Sequence, residues 1–238
     1  LIGQTDPYHP PAVFPEGLHP GNLEAFMTGL DVFVDCMDDL ELKWRARQVA
    51  NQLGLPVLMA TDNGDGVILA VERHDLDPAT EPFNGTVGGL SPAQIRQCPP
   101  AEKIRLATRI AGADLVHHRM LESVSRIGTE LYAWPQLATA ATLTGVVIAY
   151  AVRRLANQLP LPSGQTVLDP EAILDPDYHL PTRRQERQQR RALALAAMDL
   201  ADLSEPSEPC EPSDLGDRSG GTGVEVPRGA WRTPGAST

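Results

Sequence analysis

Cysteine is scarce in this sequence: there are three, Cys36, Cys98 and Cys210, scattered and without CxxC spacing. That pattern argues against a disulfide framework and suits a reducing compartment. Surplus positive charge is missing too. Twenty Lys and Arg face 31 Asp and Glu, for a formal charge of -11 and a pI near 4.9. A protein that wraps nucleic acid carries the opposite balance. The basic stretch at residues 183–191 is short and has no aromatic residues on which bases could stack. The longest uncharged run, residues 131–152, is interrupted by Trp134-Pro135, Gln136, threonines and Gly145. A spanning helix needs about 20 predominantly apolar residues, so this run reads as a helix buried in a soluble core, with no membrane partner. An initiator methionine and a signal-peptide pattern are also missing before Leu1. The chain therefore reads as a cytoplasmic fragment.

What is present can bury a sizeable core, since 238 residues suffice for one full domain with tails. The chain is organised around Leu30-Asp31-Val32-Phe33-Val34-Asp35-Cys36-Met37-Asp38-Asp39. Its apolar centre, residues 31–36, predicts a buried strand, and Asp38 falls where the strand gives way to a helix. Ligands of open α/β sheets gather outside the carboxyl ends of the strands, so Asp38 is a candidate to hold a magnesium ion against phosphate. Asp38 followed by Glu41 also fits a capping-box start for the helix, and the two roles are compatible.

Around this stretch the pattern alternates. A helix is expected at residues 20–30, with a short strand candidate at 12–14 before it. Residues 40–53 keep helical spacing through Leu42, Ala46, Val49, Ala50 and Leu53, and Gly54 supplies the stop. Residues 56–60 form the next strand. Asn63-Gly64-Asp65-Gly66 then turns the chain into residues 67–71, as a hairpin or a tight loop. Residues 75–100 look irregular. Residues 101–131 read as helix in two pieces broken near Gly112, and 136–159 as an apolar helix buried against the sheet. A last strand is expected at 163–168. The fold class is α/β, a Rossmann-like mixed sheet with parallel strands first and antiparallel strands late, incomplete on its N-terminal side. Residues 1–180 form this domain and 181–203 a marginal helix, its arginines at the end the helix dipole disfavours. Residues 204–238, rich in Ser, Glu, Pro and Gly, form a disordered tail.

The central stretch resembles the D-x-V-x-D-C-T-D-N segment of the ThiF/MoeB family, which includes the ubiquitin-activating enzymes. The likeness continues through Pro56-Val57-Leu58-Met59-Ala60-Thr61 and the turn into residues 67–71. It resumes at residues 135–155 and at Ser163-Gly164-Gln165. Val13-Phe14-Pro15-Glu16-Gly17-Leu18 and Val71-Glu72-Arg73 look closest to a bacterial branch. The resemblance implies an adenylyltransferase that binds ATP with Mg2+ and activates a carboxylate, either a ubiquitin-like protein's C-terminus or a small acid. It implies Asp38 as the magnesium-side carboxylate, with Asp39 and Thr61 beside the nucleotide, and a homodimer or a ThiF-like heterodimer. Some relatives keep a cysteine in the long insertion that takes over the acyl group, and Cys98 falls there.

Two departures qualify that expectation. Asp39 stands where Asn is usual, placing an extra negative charge beside a triphosphate. The family's opening strand, G-x-G-x-x-G loop, acidic ribose contact, Asn/Asp-x-x-Arg segment and lysine have no counterpart before Val13. Gly64-Asp65-Gly66 has Leu69 in the third glycine's place, and Gly220-Gly221-Thr222-Gly223 precedes no helix. The expected chain is thus half of an adenylation domain, inactive alone. The alternatives are a non-catalytic pairing subunit and one module of a multidomain protein.

Other groupings are weaker. Gln97-Cys98-Pro99-Pro100 offers the thiol no base. Cys36 reads as a small core residue. His118 and Glu122, one helical turn apart, lack a third ligand. Asp62, Asn63 and Asp65 miss EF-hand spacing and fit a turn better.

Overall fold

A computed structural model of the chain describes residues 8–9, 11–127, 129–132 and 135–200, all within one compact unit, Leu1–Glu205. Helix α1 (Leu23–Met27) leads into strand β1 (Phe33–Asp35), helix α2 (Leu40–Leu53) and strands β2 (Pro56–Asn63) and β3 (Gly66–Arg73). A single 3-10 turn at Pro82–Gly85 precedes helices α3 (Pro92–Gln97), α4 (Pro100–Ala111), α5 (His118–Val124) and α6 (Ala138–Ala156). Strand β4 (Gly164–Leu168) and helices α7 (Glu171–Leu174) and α8 (Pro181–Ala197) complete the described fold.

The sheet has the order β1-β2-β3-β4, with β1 and β2 parallel and the two later pairs antiparallel. This is the expected α/β mixed sheet. Its parallel pair needs a crossover, and α2 supplies it with Ala46 and Ala50 fully buried. Gly54 closes α2 at φ 63°, its N–H returning to Ala50 and Asn51.

Strand alternation divides the core into two faces. Phe33 and Val57 meet Leu23 and Met27 of α1 and the alanines of α2, and Met59 and Ala70 meet Phe83, Ile95, Leu106 and Ile110. On the opposite face Leu58, Val67, Leu69 and Val71 pack on Val147 and Ala151 of α6. Only one face of α6 is covered, however. It packs against the sheet as expected, while Val146 and Tyr150 are exposed.

Other differences are local. The 12–14 stretch is not a strand, α1 is shorter than expected, and α3 lies inside the segment read as irregular. Ser91 starts α3 with a complete capping box to Gln94. Helix α8 is anchored by Ala194 and Leu195, buried with Ile68, Val116, Met120 and Leu121, so tertiary packing offsets its unfavourable charge order. The tail expected at residues 204–238 lies outside the described residues, as do Cys210 and Gly220 to Gly223.

β4 crosses the start of β3 so closely that a Cβ on Gly66 would lie 2.5 Å from the Leu168 carbonyl oxygen and 3.2 Å from the Asp169 Cα. Both obstacles are backbone, so Gly66→Ala forces β4 outward. We expect a loss of about 1–3 kcal/mol in stability, measured by urea denaturation.

Candidate functional site

Because β2 runs with β1, and β4 runs against β3, strands β1, β2 and β4 all point their carboxyl ends to one edge of the sheet. Two cavities open along that edge.

The first, about 370 Å3, follows β1. Asp38, Asp39, Glu41, Ile95, Arg96 and Lys103 are among its lining residues. Asp39, not Asp38, caps α2: its Oδ1 accepts the Leu42 N–H at 2.7 Å. The capping box expected from Asp38 and Glu41 is therefore wrong by one residue, and Glu41 turns outward to a guanidinium. Arg96 holds it through two donors at 2.6 Å each, and Arg45 adds a third at 2.8 Å. The Arg96 hydrogen bond foremost, with Arg45 assisting against desolvation, draws the Glu41 carboxyl down to about 2. Asp38 and the Lys103 amine have no side-chain hydrogen bond or ion pair among the described residues, although both line this cavity. A carboxylate and an ammonium without partners, lining one cavity with an arginine held by Glu41, make a setting that can take a metal–phosphate group: Asp38 for the cation, Lys103 for a phosphate oxygen.

Thr61 lies on β2 opposite Ile68, half-buried, and does not line this cavity. Cys98 ends α3 and packs, half-buried, against the Ile95 and Leu106 cluster, also away from the lining. Cys36 is exposed just past β1, contrary to the core position expected for it, because the strand stops at Asp35.

Behind this cavity lies a buried charge network that spacing did not reveal. Arg47, fully buried, donates from Nη1 to Asp35 at 2.6 Å and from Nε to Glu72 at 2.8 Å. Lys43 donates to the other Asp35 oxygen at 3.0 Å. The network ties α2 to β1 and β3 and fixes the start of the helix that carries the Asp38 loop.

The second cavity, about 620 Å3, lies at the β2–β3 turn and the end of β4. Its wall includes His117, Asp169 and Glu171, whose ligand-capable atoms lie within 4.8 Å of one another. His117 caps α5, its Nδ1 accepting the Arg119 N–H at 3.3 Å. Burial, the main cause, lowers its pKa, and its Nε2 stands 3.7 Å from Glu171. Tyr178 donates to Asp169 at 2.7 Å, which orients that carboxylate beside His117 and Glu171. His118 and Glu122, set aside above for want of a third ligand, differ in burial: His118 is buried and Glu122 exposed. The turn residues brace the scaffold. Asp62 accepts Thr144 at 2.8 Å, Asp65 accepts Thr139 at 2.9 Å, and Asn63 accepts the His117 N–H at 2.6 Å.

No helix among the described residues is long and apolar enough to cross a membrane. No protein-family model matches the chain. It is similar to a protein of Mycobacterium tuberculosis (strain CDC 1551 / Oshkosh) named "Uncharacterized protein MT1398", with 33% identity over 174 residues. The match takes in 73% of this chain and 24% of that protein, so the chain spans about a quarter of the length of the relative it matches.

Proposed function

We propose that the chain is the magnesium-side half of a ThiF-like adenylation domain, acting in the cytoplasm as part of a longer protein. The observation that carries this reading is the uncommitted Asp38 carboxylate at the carboxyl end of β1, in one cavity with Arg96 and the free Lys103 amine. Asp39 takes the helix cap, which leaves Asp38 for a ligand.

In the proposed reaction a substrate carboxylate, from a ubiquitin-like C-terminus or a small acid, attacks the α-phosphorus of ATP. A carboxylate–phosphorus bond forms, the bond to the β-phosphate oxygen breaks, and pyrophosphate leaves with the electron pair. Magnesium, when bound, neutralises charge on the phosphates. Asp38 would hold that ion, and Lys103 would meet a phosphate oxygen. Asp39 adds negative charge at the same edge and works against nucleotide affinity. Such catalysis is positioning plus charge neutralisation, so it needs a phosphate cradle that this sequence lacks. The lack equally suits a non-catalytic subunit paired with a second ThiF-like chain or with another copy of itself, and Asp39 favours that second reading.

The isolated 238-residue chain is therefore expected to show no exchange of labelled pyrophosphate into ATP. Exchange by this chain alone, lost in Asp38→Ala, would contradict the half-site reading.

A further inference from the structure

Beside the larger cavity, and sharing Arg119, Glu171 and Asp175 with it, lies a smaller one of about 250 Å3. Helices α5, α7 and α8 line it, half open to solvent, with four arginines, Arg119, Arg183, Arg187 and Arg190, and three carboxylates, Glu171, Asp175 and Glu186. Three of the arginines are engaged. Arg183 reaches Glu186 at 3.3 Å, and Arg119 stands 3.6 Å from Glu171. Arg187 donates to the Tyr178 carbonyl and lies 3.6 Å over its ring. Arg190 has no hydrogen bond or ion pair among the described residues.

His118 also lines this cavity, 6% exposed, and its buried Nε2 has no hydrogen-bond partner. An orphaned polar atom in the interior costs free energy unless a ligand or water meets it. Burial, followed by His117, Arg190, Arg119 and Arg187, presses His118 down to about 4, so the ring is neutral near pH 7 and one nitrogen can donate. The cations that disfavour its protonated form are those that would attract an anion.

We propose that this cavity binds the phosphate group of a small phosphomonoester, with Arg190, Arg119 and His118 as the ligand's donors and the 620 Å3 cavity receiving its organic part. Donors approach from α5 and α8, two separate elements, which suits a tetrahedral group with three terminal oxygens. A carboxylate, with two oxygens in one plane, is satisfied by a single arginine fork. The adjoining cavity offers Met120, Pro135, Leu137 and Leu174 as an apolar wall for the organic part. This site is separate from the Asp38 cavity, and none of its residues serves the adenylation reading.

Titration calorimetry on the 238-residue chain tests it with phenyl phosphate, inorganic phosphate and benzoate. Phenyl phosphate is expected to bind most tightly, inorganic phosphate more weakly, and benzoate at least tenfold more weakly than phenyl phosphate. Arg190→Glu, an exposed change, should weaken phenyl phosphate at least about tenfold, and His118→Phe should do the same, as expected for charge-assisted and buried hydrogen bonds. If His118→Phe fails to fold by circular dichroism, Arg190→Glu alone decides. No binding at millimolar phenyl phosphate, benzoate binding as tightly, or an Arg190→Glu affinity equal to wild type would each overturn the proposal.

Discussion

Arg47→Ala is expected to lower the stability of the chain by about 3–5 kcal/mol, the range for leaving a buried charge without its partner. Arg47 is the centre of a fully buried network, bonded to Asp35 at 2.6 Å, to Glu72 at 2.8 Å and to the Lys43 carbonyl at 3.0 Å. Its guanidinium also lies 3.8 Å over the Phe83 ring. The other oxygen of Glu72 accepts the Phe83 N–H at 2.8 Å, beside Phe83 and Asn84 in left-handed conformations at φ 55° and 53°. Losing Arg47 thus strips two buried carboxylates of a counter-ion and loosens the contact that holds a strained loop. Urea denaturation at neutral pH measures the loss. The double variant Arg47→Ala, Asp35→Ala should lose less than the sum of the single losses, because the two residues share one interaction.

The same network sets an acid limit. Burial alone would push the Asp35 carboxyl up, but Arg47 and Lys43 more than offset it and hold it below the ordinary carboxylate value. A depressed folded pKa means that Asp35 stabilises fully above its unfolded value, and that this contribution is lost as pH falls through the folded one. In Arg47→Ala only Lys43 and the Met37 N–H still oppose the burial effect at Asp35. The variant's deficit should then be largest near neutral pH and shrink in acid, where the Asp35 carboxylate takes a proton.

The elements were legible where one local signal sufficed. Helix α2 followed from its apolar spacing and Gly54, and the β2–β3 hairpin from Asn63-Gly64 between two apolar runs. Helix α3 had a readable signal too, Ser91 and Gln94 at capping-box spacing, but it was hidden among glycines and prolines. The network was not legible, because Asp35, Arg47 and Glu72 are distant in sequence and an arginine on a helix normally predicts a solvated face. Asp39 and Asp38 were confused for a plain reason. Adjacent carboxylates offer the same capping chemistry, and only the backbone at Asp39, φ -77° and ψ 117°, decides between them. Both cavities at the carboxyl edge draw on separate segments of the chain, so neither had a contiguous motif.

The second large effect concerns Asp38. In the protein at its natural length, Asp38→Ala should reduce ATP–pyrophosphate exchange by about a hundredfold or more, since it removes the carboxylate proposed to hold the charge-neutralising ion. Its fold should be unaffected, because Asp38 is exposed and Asp39 keeps the helix cap. Lys103→Ala should act in the same direction through the phosphate. Asp38→Asn separates charge from shape, because it keeps the side chain's size and loses its charge. Pyrophosphate exchange by the natural-length protein, wild type against Asp38→Asn, is therefore the most direct measurement. The account predicts carboxylate-dependent exchange in the wild type and near-complete loss in the variant. Equal exchange in the two proteins, or none in the wild type with ATP, magnesium and a range of carboxylates, would contradict it.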